Sequence, residues 1–346
     1  MGANLIDPAT NESLFTFLSE FYEPWVGQTI IEVALLVLII CFGFTGNGMV
    51  LLAVLKNEKL RSVTSILIAN LAVTDILFAA GIPFIIFTRV AHHWVFGDVV
   101  CKLFTYAQFV SGVCSILTMV TISVERYLCV CLSPRRKLAL RETIIILIFV
   151  WLVSICFPIP VAFAQTLVHI NIDSKDFVFC GVQWPSSFHS EIYLGFMATL
   201  FFIIPLIVIS FFYLRILCVV RKTMLNVGKN NDKSTKKQIR LNKMCVAVVF
   251  AFVLMWLPFF VVSFLGVHHK QIKSTHFTIT IILALANTCQ NPMIYGYFNY
   301  RFREQYKKMC CCKCFIERFC RNGQGNVYGT QTIERASDAR HSSSTV

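Results

Sequence analysis

Charge is scarce in this chain of 346 residues. Asp, Glu, Lys and Arg make up 14% of it, against 56% hydrophobic residues, where a soluble domain would carry about 25% charged residues. That shortage excludes an ordinary soluble fold. Segments of about ten residues that alternate apolar and polar are also missing, which excludes an outer-membrane type of β-barrel. No Ser/His/Asp set, metal-ligand spacing or phosphate-binding loop stands out, so catalysis has little to rest on. No internal repeat argues for a transporter. Residues 1–28 lack Lys and Arg altogether while holding Asp7, Glu12, Glu20 and Glu23. The same stretch lacks the basic start and short apolar core of a cleavable signal peptide.

What the chain does have is apolar runs. Seven of them, near 29–55, 64–91, 98–131, 141–165, 190–221, 240–265 and 275–298, reach the roughly 20 residues that a helix needs to cross a bilayer. Helices satisfy their backbone internally, so the expected fold is an all-α membrane protein, a seven-transmembrane helix bundle. The loops alternate in charge. Those at 56–63, 132–142 and 221–243 and the tail after 298 hold 24 basic residues, and the opposite side holds three. The positive-inside rule then puts the N-terminus outside the cell and the C-terminus in the cytosol. Contact with membrane lipid accounts for the basic excess, and no nucleic acid is needed.

Orientation sorts the 15 cysteines. Cys101 and Cys180 fall at the oxidising face and are the disulfide candidates. Cys310, Cys311, Cys312 and Cys314 cluster just past the last run without the histidines of a zinc site, which favours juxtamembrane palmitoylation. Asn11-Glu12-Ser13 is a glycosylation sequon on the outer side. Six prolines, Pro83, Pro158, Pro160, Pro205, Pro258 and Pro292, fall inside the runs and should open the helices locally. The domain plan is an outer tail at 1–28, the receptor-like bundle at 29–298, a juxtamembrane region at 299–320 and a disordered tail at 321–346. Tyr300, Arg301, Phe302, Arg303, Tyr306 and Lys307 suit a short amphipathic C-terminal helix on the inner leaflet. The segment 223–239 reads as a polar connector, ordered only when bound.

Polar residues inside the runs carry the functional signal. Asp75 is the one acid between Thr64 and Val90, at a depth where a carboxylate costs about 2.5–3.5 kcal/mol. Arg126 ends the third run beside Glu125; the plain reading of such an Arg is a snorkelling interfacial residue. Six signatures appear in order: Gly46-Asn47, Leu71-Ala72-x-x-Asp75, Glu125-Arg126-Tyr127, Pro205 with Tyr213, Phe252-x-x-x-Trp256-x-Pro258 and Asn291-Pro292-x-x-Tyr295. Together they resemble the rhodopsin-like (class A) G-protein-coupled receptors over about 29–310.

That resemblance implies roles. Glu125 restrains Arg126 at rest, and Arg126, Tyr127, Tyr213, Asn291, Pro292 and Tyr295 form the switch that meets a heterotrimeric G protein. The family's second restraint, an acid at the foot of the sixth helix, is replaced here by Lys237, Gln238 and Arg240, which implies a looser resting state with basal signalling. Asp75, Ser115, Asn287 and Asn291 match the family's sodium pocket, the alternative being a water network. Ile116, Pro205 and Phe252 match its connector, placed above Trp256, whose indole would form the floor of a ligand pocket. Ser342, Ser343, Ser344 and Thr345 suit kinases and arrestin, and Ser344-Thr345-Val346 a PDZ protein. No other cofactor is implied, and the expected address is the plasma membrane.

Ligand class is read from the outer third. Gln108 stands where aminergic members carry an aspartate, and residues 276–298 lack the lysine of a retinal pigment. The segment Cys180 to Tyr193, with Gln183, Trp184, Pro185 and His189, resembles the galanin, allatostatin and kisspeptin receptors and implies a neuropeptide. Arg89, Gln108, Trp184, Glu191 and Trp256 are the pocket candidates. Two alternatives stay open. Arg89 can pair with the carboxylate of a long-chain fatty acid. The outer histidines, His92, His93, His169, His189, His268, His269 and His276, can respond to protons or zinc.

Overall fold

The computed structural model describes residues 4–6, 13–15, 26–57, 62–132, 138–172, 175–183, 190–226, 233–267 and 274–310. Two short antiparallel strands, β1 (Asn4–Ile6) and β2 (Ser13–Phe15), precede the helices. The helices are α1 (Val26–Lys56), α2 (Val63–Ala79), α3 (Ile82–Ala91), α4 (Gly97–Tyr127), α5 (Leu140–Cys156), α6 (Ile159–Ala164), α7 (Ser190–Ala198), α8 (Ile204–Asn226), α9 (Lys233–Val267), α10 (Ser274–Phe298) and α11 (Tyr300–Cys310). Between α6 and α7 runs a hairpin of β3 (Gln165–Ile172) and β4 (Lys175–Val182).

Six stretches among the described residues are long and apolar enough to cross a bilayer, from Gly27–Lys56 to Asn242–Val262. The seventh span is α10, whose 25 residues reach about 37 Å at 1.5 Å per residue. It is less apolar because Thr278, Thr280, Asn287, Thr288, Gln290 and Asn291 are all turned into the protein, where α10 packs on α1, α2 and α9. The chain is thus a seven-helix, multi-pass membrane protein.

The prolines explain where the spans break. Pro83 sits in the first turn of α3 and separates it from α2 at Ala80–Gly81. Pro158 and Pro160 separate α5 from α6. Proline has no N–H and its ring clashes with the preceding turn, so the break falls just before it. Before Pro205 the chain takes a π-helical turn, Thr199–Ile203, between α7 and α8. Pro258 and Pro292 lie within continuous α9 and α10.

Three differences from the sequence expectation stand out. The loop after the fourth span forms the β3–β4 hairpin, whose alternating Val168, Ile170 and Ile172, and Phe177 and Phe179, were submerged in an apolar background. The part of the connector at 233–239 is helical and continues α9. The third span ends in a second π-helical turn, Leu128–Leu132. Helix α4 holds the centre: it packs on α2, α5 and α8 and buries Ser111, Ser115, Thr118, Thr121, Ser123, Glu125 and Arg126 among apolar residues. By contrast Ile144, Ile145, Ile148, Phe149, Leu152 and Ile155 of α5 are exposed, the face lipid covers in a membrane bundle.

Helix α11 belongs to a separate compact unit, Tyr300–Val346. Phe302 and Tyr306 share one face with ring centroids 6.2 Å apart, while Arg303, Glu304, Lys307 and Lys308 are exposed.

Candidate functional site

The polar interior runs in three layers along α4. At one end Cys101, in the first turn of α4, is disulfide-bonded to Cys180 of β4, with Cα atoms 5.6 Å apart. The bond fixes the hairpin over the helix ends. Trp94 N–H donates to Val178 O at 2.7 Å, and Gln165 Nε2 lies 3.0 Å from Cys180 Sγ. Beneath it, Gln108 Nε2 donates to Phe78 O at 3.2 Å. Gly81 allows this approach: a Cβ there would lie 2.3 Å from Gln108 Nε2. Arg89 of α3 is buried and ion-paired with Glu32 of α1 through Nε at 3.1 Å and through Nη2. It therefore does not stand open to a ligand acid, as the fatty-acid reading requires. Trp184 lies outside the described residues, as does the side chain of Glu191, which sits in α7.

The middle layer holds the connector and the mid-membrane acid. Ile116, Pro205 and Phe252 line one small apolar cavity with Met119, Phe202 and Ile209. Phe252 reaches Trp256 at 5.9 Å between centroids, and Phe78 reaches it from α2 at 5.5 Å. Packing from α2 and this cavity therefore meet at one indole, whose Nε1 is buried without a hydrogen-bond partner. Asp75 accepts from Asn291 Nδ2 at 2.9 Å, and Asn47 bridges Gly43 O and Thr288 O at 2.9 and 2.8 Å. Of the four sodium-pocket residues, Asp75 and Asn291 are joined, while Asn287 Oδ1 accepts from Gln290. Ser115 Oγ and Asn291 Oδ1 are buried without partners. One carboxylate and two unsatisfied oxygens are the donors a hard cation takes, so this set fits sodium.

At the other end, Arg126 donates from Nε and Nη2 to Glu125, each at 2.5 Å, and from Nη2 to Thr64 Oγ1 at the foot of α2. Thr64 Oγ1 in turn donates to Glu125 at 3.3 Å, and Cys129 Sγ donates to Glu125 at 3.4 Å. Both charged side chains are about one-twentieth exposed, so Arg126 is held inside rather than snorkelling. Tyr127 packs on Phe212 at 5.0 Å. Tyr213 of α8 and Tyr295 of α10 are buried in the same layer, Tyr213 close to Arg126 and Cys245. Pro292 packs so tightly on α1 that a Cβ at Gly46 would lie 3.0 Å from its ring. Helix α9 contains no acid at all. Instead Arg240 Nη2 donates to Tyr297 O, at the end of α10, at 3.2 Å.

Sequence reasoning missed Glu32, Thr64 and the Arg240 contact, and also Asn70, which accepts from Trp151 and donates to Thr118 at 2.9 and 2.8 Å. Glu32 had a usable signal, a single acid in the first apolar run. Of the histidines, His92 caps α3 in the left-handed region at φ 56°, His93 bonds Ala91 O, and His169 and His276 are exposed. Among the described residues no group of three His, Cys, Asp or Glu is placed to hold a metal. Asn11, Cys311, Cys312, Cys314, His189, His268, His269 and Ser342–Val346 lie outside the described residues, as does the side chain of Cys310.

Comparison with known proteins bears on the arrangement directly. The family described as 7 transmembrane receptor (rhodopsin family) matches residues 46–295. Somatostatin receptor type 4 of Rattus norvegicus is 30% identical over 283 residues, 81% of this chain and 72% of its own. Neuropeptide Y receptor type 6 of Mus musculus is 28% identical over 323 residues, covering 88% and 87%. The crystal structure of squid rhodopsin superimposes with a TM-score of 0.72 at 24% identity, over 85% of this chain and 89% of that one.

Proposed function

The chain belongs to the rhodopsin family of seven-transmembrane receptors, and from that premise we propose that it is a plasma-membrane receptor for a short peptide that activates heterotrimeric G proteins. Its N-terminus faces outward, so the disulfide end of the bundle is the ligand side and the Arg126 end faces the cytosol. The observation that carries this reading is the buried Arg126, paired to Glu125 and Thr64 at one end of the helix that Cys101 anchors at the other. One rigid element thus spans the distance from ligand to transducer.

The mechanism follows from differential affinity. A ligand seated above Trp256 shifts the equilibrium only by what it gains in one packing of Trp256, Phe252, Ile116 and Pro205 over the other. Movement of the α9 foot then parts Arg240 from Tyr297 and lets Arg126 leave Glu125. Tyr213 and Tyr295 take its place as partners. Asp75, Ser115 and Asn291 would hold a sodium ion, which would supply the positive charge that neutralises the buried carboxylate. Arrestin at Ser342–Thr345, a PDZ partner at Val346, palmitoylation of Cys310–Cys314 and a glycan on Asn11 complete the reading.

Peptide is favoured over lipid acid for two reasons. Two relatives bear the names of somatostatin and neuropeptide Y, and Glu32 already neutralises Arg89. The test is a panel of neuropeptides and of long-chain fatty acids applied to cells that report several G-protein classes. Activation by a peptide and none by the acids is expected; activation by the acids alone would reverse the assignment.

A further inference from the structure

We infer that Gln290 weakens the cation site at Asp75 by holding Asn287 out of it, and so sets the sodium concentration to which the site responds. The inference rests on the sodium reading of that site given above. Asp75, Ser115, Asn287, Gln290 and Asn291 are all buried. Asp75 accepts from Asn291 Nδ2, while Asn291 Oδ1 and Ser115 Oγ are buried without partners. Those three residues keep oxygens for a hard cation. Asn287 does not, because its Oδ1 accepts from Gln290 Nε2. A cation that recruits the Asn287 oxygen must first break that bond and leave the Gln290 amide unpaired in the interior.

The competition is built into one helix. Asn287, Gln290 and Asn291 stand at i, i+3 and i+4 of α10, so both later residues are neighbours of Asn287 on the next turn. Being consecutive, those two point about 100° apart around the axis. Asn291 is turned to Asp75, whereas the Asn287 oxygen is taken by Gln290. Gln290 Oε1 is itself buried without a partner, so the bond to Asn287 is what anchors that amide among the described residues. Gln290 is therefore a positioning residue that acts on the ion through Asn287. With no donor at position 290, the Asn287 oxygen is released to the site and the ion gains a further ligand.

Sodium chloride is the probe, exchanged for choline chloride at constant ionic strength, and the thermal midpoint of the full-length receptor in detergent is the readout. Gln290→Met keeps the side-chain length and removes the donor. Its half-saturating sodium concentration is expected to lie about two- to tenfold below that of wild type, the effect of one neutral hydrogen bond. In the double variant N287A/Q290M the gain disappears, which repacking at position 290 alone would not produce. If Gln290→Met does not fold, Asn287→Ala is the test: its oxygen is not spent on the ion in wild type, so half-saturation stays within about twofold. Half-saturation in Gln290→Met equal to or above wild type, a gain that survives in the double variant, or a larger weakening in Asn287→Ala would overturn the inference. A sodium shift in wild type that Asp75→Asn abolishes keeps the sodium reading standing when one of those results removes the role of Gln290. A shift in Gln290→Met but not in wild type supports the inference, and no shift in wild type or in the variant used removes both.

Discussion

Replacing Glu125 by Gln isolates the restraint on Arg126. The guanidinium makes two 2.5 Å bonds to this carboxylate and one to Thr64, and no acid of α9 is available to substitute. Gln keeps one acceptor oxygen and the side-chain shape but removes the charge and one bond. A hydrogen bond to a charged group contributes about 1.5–3 kcal/mol net. An arginine left buried without its counter-charge adds to that loss. The resting state should therefore lose at least about 1.5–3 kcal/mol relative to an active state in which Arg126 has already left Glu125. At 1.4 kcal/mol per decade this shifts the equilibrium about 10- to 150-fold. From a minor active population of about 1%, ligand-independent nucleotide exchange should rise at least about tenfold toward the agonist-driven ceiling. The assay is basal exchange on purified G proteins by membranes matched for surface receptor. Basal exchange at the wild-type level with equal surface expression would refute the reasoning.

Three further outcomes are expected. Arg240→Ala removes the contact between the α9 foot and Tyr297; the pair is exposed, so the effect is about 0.5–1.5 kcal/mol, seen as a two- to tenfold rise in basal exchange (roughly, at 1.4 kcal/mol per decade) that Arg240→Lys partly reverses. Asp75→Asn removes the anionic ligand of the proposed cation site; agonist affinity is expected to change with sodium between low and physiological concentrations in wild type and to be insensitive to it in the variant. Cys101→Ser opens the tie to Cys180. The loss of about 2–5 kcal/mol should release the β3–β4 hairpin, with reduced surface expression and loss of agonist binding in radioligand or fluorescent-peptide assays.

The spans could be read from sequence because lipid imposes one requirement everywhere: about 20 apolar residues whose backbone bonds are internal. The prolines and the Asp75, Arg126 and Trp256 signatures could be read because each departs from that background. The hairpin could not, since its alternating pattern differs little from the apolar runs beside it. The Glu32–Arg89 pair could have been half read: each residue is conspicuous alone, but their 57-residue separation hides the pairing until α1 and α3 are packed. Thr64 gave no signal and Arg240 was legible only as the replacement of an acid, because a threonine at a helix start and an arginine in a basic segment are ordinary until a neighbouring helix supplies the partner. The π-helical turns were likewise beyond a reading based on a 3.6-residue period.

The π-helical turn at Thr199–Ile203 has a consequence for anyone scanning the fifth span. It inserts one residue into a helix, and one residue is worth about 100° of rotation. The stripe facing inward along Ile204–Asn226 therefore does not project straight back through Ser190–Ala198. A cysteine-labelling series along this span should yield two accessibility waves out of phase by about a quarter turn, with the discontinuity between Ala198 and Ile204.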